Sequence, residues 1–140
     1  MSHKRSDPEP LSMAECQQLL ASTGVGRVIF TENALPSAAP VNYVMDGHAV
    51  VFRTSPGSRL ARATDDAVVA FEVDHIDDEH RSGWSVLVVG VAEVLRGASE
   101  ILRAEQLGLV SWVDGERGQY VRIAPGAVTG RRIGTPVATA

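Results

Sequence analysis

The stretch Val50–Ala61, VVFRTSPGSRLA, decides the reading, because it passes from strand chemistry to turn chemistry to anion chemistry within a dozen residues. Val50, Val51, Phe52 and Thr54 are β-formers, Pro56-Gly57 breaks the strand, and Ser58-Arg59 opens a short helix expected over Leu60–Thr64. A strand, a tight turn and a helix N-terminus in that order suit a phosphate, since the first turn of a helix offers unpaired N–H groups and the positive end of the macrodipole. Ser58 adds a hydroxyl, and Arg59, with Arg53 at the strand end, adds planar guanidinium forks. The same spacing also fits an ordinary N-cap serine beside two solvated arginines. The residues of the stretch alone leave both readings open.

Composition bounds the rest. A chain of 140 residues, 44% apolar, fits one domain with one core. Thirteen glycines and seven prolines punctuate short segments, which suits a domain of short strands. A net charge of −4 argues against nucleic-acid binding by a basic surface. The single cysteine, Cys16, excludes an internal disulfide framework and is compatible with a reducing cytoplasm. The N-terminus MSHKRSDPEP has no apolar segment of the secretory kind, and no apolar run approaches membrane-spanning length, so no membrane partner is expected.

Outward from the central stretch, residues 1–10 read as a disordered polar tail and residues 134–140 as a loose one, leaving 11–133 as a single domain. Ser12-Met13-Ala14-Glu15 has the capping-box pattern, and the helix behind it places Met13, Cys16, Leu19 and Leu20 on one apolar face. Strands are expected at 25–31, 35–45, 50–54, 68–74, 84–95 and 119–123, with Pro125-Gly126 turning the chain into a further segment at 128–133. Asp46-Gly47 is a two-residue hairpin signal, so the second and third strands are neighbours. The loop 74–82 gathers His75, Asp77, Asp78, Glu79 and His80. Its contiguity and lack of a cysteine pair favour a solvated acidic loop over a metal site. Gly90 would permit a kink in the long strand, which is apolar on both faces up to that point. A second amphipathic helix spans 99–107 with Ile101, Leu102 and Leu107 inward, and a linking stretch holds Trp112. The sum is an α+β, mainly β domain: an antiparallel barrel of about six strands with two to three peripheral helices.

Several pieces together resemble the FMN-binding split-barrel family typified by pyridoxamine 5′-phosphate oxidase, in particular its small bacterial members. They are the capped helix, Pro40-Val41-Asn42-Tyr43, the hairpin at Asp46-Gly47, Phe52-Arg53-Thr54 followed by Gly57-Ser58-Arg59, the strand from Trp84-Ser85-Val86 through Gly90 and Ala92, and Tyr120-Val121-Arg122-Ile123. The resemblance implies a six-stranded split barrel that pairs as a homodimer with a flavin at the interface. It implies that Ser58 and Arg59, next to Leu60, hold the FMN phosphate. Phe52, Arg53 and Thr54, with Val41 and Asn42, would meet the ribityl chain and ring. Trp84, Ser85 and Val86 would reach the flavin from the long strand, by way of the partner chain. A guanidinium near the pyrimidine edge would stabilise the reduced ring, and no acid–base triad is needed.

The departures bear on substrate. Leu60 stands where the oxidase has a lysine, and Val128-Thr129-Gly130-Arg131-Arg132 stands where it has an aromatic ahead of an arginine. The expected activity is therefore a reductase-type, FMN-dependent oxidoreductase acting on a small molecule other than pyridoxamine phosphate. Two alternatives stay open. One is a deazaflavin-dependent reductase, which needs a long basic groove for its acidic tail, and for which Arg27, Arg122, Arg131 and Arg132 are candidates. The other is a non-catalytic flavin- or haem-binding module, with the histidines, Cys16 and the tyrosines as candidate axial ligands.

Overall fold

The computed structural model describes residues 8–110 and 118–134. Residues 1–7, Trp112 and its linking stretch, and 135–140 lie outside the described residues. In chain order the elements are β1 (Glu9–Pro10), α1 (Met13–Ser22), β2 (Val25–Glu32), β3 (Leu35–Asp46), β4 (Ala49–Thr54), α2 (Arg59–Thr64), β5 (Ala67–Asp77), β6 (Ser82–Val94), α3 (Ala98–Glu105) and β7 (Gln119–Ile133). The strands run in the order β7-β4-β3-β2-β5-β6, and β6 pairs back with β7, so six antiparallel strands close into a ring. The expected mainly β, antiparallel architecture with helices is what forms, with seven strands where six were counted.

Period-2 alternation builds the interior. Val28 and Phe30 of β2, Tyr43 of β3, Val50 and Phe52 of β4, Phe71 and Val73 of β5, Val86 and Val88 of β6, and Val121 and Ile123 of β7 all turn inward, and Cys16 and Leu20 of α1 with Ala61 of α2 join them. Tyr43 packs edge-on against Phe71 with centroids 4.7 Å apart. Its hydroxyl, partnered also by Thr23, donates to the Leu20 carbonyl at 2.5 Å and so ties α1 to the ring. A smaller outer cluster of Val51, Leu95, Ala104 and Tyr120 lies under α3. There Asp46 accepts a bidentate pair from Arg103 (2.8 and 3.0 Å) and a third bond from Arg122 (2.9 Å), and the Arg103 bonds hold its carboxyl below the usual carboxylate range.

Four expectations are corrected. Residues 9–10 are not part of a free tail: Glu9 and Pro10 pair with Arg132 and Arg131, and the Leu11 amide donates to the Gly130 carbonyl at 2.9 Å. Pro125-Gly126 does not turn the chain. β7 runs through it, because Gly90 pairs with Pro125 while Val89 pairs with Ala127, leaving Gly126 as the extra residue of a bulge. A Cβ at Gly90 would meet the Ala124 carbonyl oxygen at 1.8 Å, which is why glycine stands there. The acidic loop is shorter than expected, because β5 extends to Asp77 and β6 begins at Ser82. Met13 and Leu102 are exposed, since the inward stripes run through Cys16 and Leu20 in α1 and through Ile101 and Ala104 in α3. Among the described residues no helix is long and apolar enough to cross a membrane.

Candidate functional site

β4 leaves the ring at Thr54, turns at Gly57 (φ +66°) and enters α2 through Ser58 as N-cap. Ser58 Oγ accepts from the Ala61 amide at 3.0 Å and shares a hydrogen bond with Thr54 Oγ1 at 2.8 Å, so the two hydroxyls sit side by side at the mouth of the turn. The Gly57 amide is held by Gln119 Oε1 at 3.1 Å from the facing strand, and the Arg62 guanidinium donates to the Gly57 carbonyl. Arg59 is exposed on the rim, where its Nε lies 2.6 Å from Glu32 Oε1. From the sequence Glu32 falls in the turn Glu32-Asn33-Ala34, just past the strand expected over 25–31. Nothing local to it signals the pairing, which arises because the end of β2 comes beside α2.

Arg53 occupies the outer face of β4, opposite to Phe52. Its guanidinium lies 5.3 Å from the Tyr120 ring centroid, and its Nε is buried with no hydrogen-bond partner among the described residues. Such an orphaned donor costs stability unless something accepts from it. β7 approaches closely here because residue 118 is glycine: a Cβ would meet the Thr54 carbonyl oxygen at 2.7 Å.

The remaining candidates divide. Val41, Phe52 and Val86 face the core, so only their backbone is available to a ligand. Leu60 and Trp84 are half-buried and pack against the core, and Asn42 is half-buried on the opposite side of β3 from Val41. Ser85 faces outward and lines a cavity of about 310 Å³ with Leu87, Thr129, Arg131 and the prolines of the N-terminal segment. Arg53 pairs with Tyr120 at one end of β7, whereas Ser85 pairs with Arg131 near the other. Eleven residues of β-strand separate those levels, on the order of 35 Å at about 3.3 Å per residue. One chain therefore gathers Arg53, Thr54, Ser58 and Arg59 and keeps Ser85 and Trp84 apart from them.

The other chemistries weighed find other arrangements. His80 Nδ1 lies 2.6 Å from Asp77 Oδ2 in the exposed β5–β6 turn, an interaction that lowers the Asp77 pKa. Among the described residues no group of three histidine, cysteine or acidic side chains is placed to hold a metal ion. Cys16 is buried, and its thiol pKa is pushed up by that burial.

A family model described as pyridoxamine 5′-phosphate oxidase matches residues 12–132. The chain belongs to the pyridoxamine 5′-phosphate oxidase family. It is 39% identical over 128 residues to an uncharacterized protein of Mycobacterium tuberculosis, covering 88% of this chain and 84% of the relative. Among solved structures it resembles the FAD binding protein of Mycobacterium smegmatis, with 35% identity, a TM-score of 0.77, and 89% of this chain and 97% of that one covered. It also resembles a conserved protein of unknown function from Corynebacterium diphtheriae, with 32% identity, a TM-score of 0.78, and 90% and 98% covered.

Proposed function

We propose that this member of the pyridoxamine 5′-phosphate oxidase family is a flavin-dependent oxidoreductase of the reductase type, a split-barrel homodimer that carries its flavin between the two chains and acts on a small molecule. The observation that carries the reading is the buried Nε of Arg53, without a partner among the described residues, at the strand end that leads into the turn of the Thr54–Ser58 hydroxyl pair: a donor in search of an acceptor, one residue before a turn suited to an anion. Bound flavin supplies the hydride and electron transfer, and the chain supplies binding and orientation. In this reading Ser58 and Arg59 hold the phosphate and the side chain of Leu60 packs behind them. Arg53 and Thr54, with the backbone at Val41-Asn42, meet the ribityl chain and ring. Trp84 and Ser85 come from the partner, and the separation of the two groups along β7 supports a site completed by a second copy.

FMN fits the compact turn. A second reading, FAD, is favoured by the 35% identical M. smegmatis protein, which is described as binding FAD. The deazaflavin reading is weakened, because three arginines that would form its basic groove are each beside a carboxylate: Arg27 beside Glu72 and Asp74, Arg122 at Asp46, and Arg132 near Glu15. The lone buried cysteine suits a cytoplasmic setting.

The test is the absorption spectrum of freshly purified protein before and after anaerobic reduction, followed by chromatography of the released cofactor. Oxidised-flavin bands that bleach on reduction, with FMN or FAD released, are expected, together with a sedimenting mass of twice 14.9 kDa. A colourless monomer that takes up neither flavin overturns the proposal.

A further inference from the structure

Glu32 ends β2 two residues beyond buried Phe30 and on the same face, and it pairs with Leu35 across a two-residue turn in which Asn33 (φ +51°) and Ala34 (φ +65°) are both left-handed. That turn fixes the strand end beside α2. Arg59, the first residue of α2, reaches across to this hairpin. Its Nε lies 2.6 Å from Glu32 Oε1, and its Nη2 points at Ser37 Oγ, 3.5 Å away on the other strand of the hairpin. These are its side-chain partners among the described residues. The turn at Gly57 is furnished by other groups: the Thr54 and Ser58 hydroxyls bond one another at 2.8 Å, the Gly57 amide donates to Gln119, and the Gly57 carbonyl accepts from Arg62.

A carboxylate on a guanidinium can act on a second anion in two ways. As a brace it aims the remaining N–H groups at that anion; as a rival it occupies the donors the anion needs. The edge in use decides between them. Nε and Nη2 form the planar fork that takes an oxyanion in two bonds, and it is by this edge that Arg103 grips Asp46. In Arg59 the same edge faces the hairpin, with Glu32 on Nε and Ser37 on Nη2. We propose that Glu32 is a positioning residue that holds Arg59 on the hairpin and competes with the flavin phosphate for it, so that the charge at position 32 sets how much a phosphate adds to flavin binding. The inference rests on the flavin reading above, in which Arg59 is a phosphate ligand.

The phosphate must then draw Arg59 off one carboxylate and leave that carboxylate unpaired beside a new anion. Both effects weaken a phosphate-bearing flavin, and neither touches a flavin that ends in a hydroxyl. Neutralising Glu32 while keeping its shape removes both, because a hydrogen bond from a guanidinium to an amide oxygen is weaker than one to a carboxylate. A brace would give the opposite sign, since Arg59 would lose its aim.

The experiment is fluorescence titration of cofactor-stripped, full-length protein with FMN, FAD and riboflavin at low, fixed ionic strength. Glu32→Gln should bind the phosphate-bearing flavin that the wild type takes up roughly two- to five-fold more tightly, the range open to an ion pair on an exposed rim, with riboflavin affinity unchanged. Arg59→Ala should cost more of that affinity in the Glu32→Gln background than in the wild type, because in the wild type part of what Arg59 gives the phosphate is taken from Glu32. A Glu32→Gln protein that binds FMN and FAD no better, or less well, overturns the proposal. So does a riboflavin affinity that moves in step with them, which would make Glu32 a structural residue, and so does an Arg59→Ala cost equal in the two backgrounds. A wild-type protein that binds none of the three flavins overturns the flavin reading itself.

Discussion

Replacing Arg53 by methionine separates a ligand-binding role from a structural one, because the two predict opposite signs. The buried Nε has no partner among the described residues, and an unsatisfied buried donor costs about 1–3 kcal/mol. The contact of the guanidinium with the Tyr120 ring at 5.3 Å returns about 0.5–1 kcal/mol. Methionine keeps the aliphatic stem and removes the donor, so flavin-free protein should be unharmed, or gain up to about 2 kcal/mol, in a urea titration. Flavin affinity should move the other way. Loss of a charge-assisted hydrogen bond is worth about 1.5–3 kcal/mol, a roughly 10- to 150-fold rise in Kd read by fluorescence titration of stripped protein. Arg53→Lys, which keeps the charge without the planar fork, should fall between. A variant that loses stability while binding flavin as tightly as wild type would refute the assignment and make Arg53 a structural residue.

Ser12→Ala removes the hydroxyl that accepts from the Glu15 amide at 3.1 Å, and should lower stability by about 1 kcal/mol with flavin affinity unaltered, as paired urea and fluorescence titrations would show. Gly26→Ala puts a Cβ 2.2 Å from Phe71 Cζ and 2.9 Å from Val73 Cγ1, in a core with no room to give; a loss of about 1–3 kcal/mol is expected in the urea midpoint. Gly24→Ala, where no atom lies within 4 Å, serves as its control and should stay near neutral.

What was legible in the sequence is what is encoded over a few residues. Valine-rich runs in Val68–Asp74 and Trp84–Leu95 announce strands, the Ser12–Glu15 spacing announces a capped helix, and Pro56-Gly57-Ser58 announces the turn at which the candidate site is built. The misread places share a cause: their conformation is set by a distant segment. Pro125-Gly126 looks like a turn in isolation, since proline lacks a ladder donor. It stays within a strand because β7 bulges at Gly126 against β6, a close approach made possible by Gly90, 35 positions before Pro125. Glu9-Pro10 looks like tail because nothing local orders it, and it is ordered by pairing with Arg131 and Arg132.

The same distinction runs through the candidate site. Ser58 was legible because an N-cap acts on the amide three residues ahead, and its bond to Ala61 is of that kind. The environments of Arg53 and Arg59 were not, because a guanidinium on a long stem is placed by whatever the fold brings within reach. Here that is the Tyr120 ring for one and the Glu32 carboxylate for the other. The consequences differ. Arg59 already has an internal anion 2.6 Å away, which an incoming phosphate must share or displace, whereas the Arg53 Nε has no partner among the described residues. Binding at Arg59 therefore exchanges one ion pair for another at an exposed rim, where such pairs are worth about 0–1 kcal/mol. Binding at Arg53 relieves a buried donor that is otherwise unsatisfied. Of the two arginines in the central stretch, the one that looked secondary in the sequence is the one on which affinity should chiefly depend.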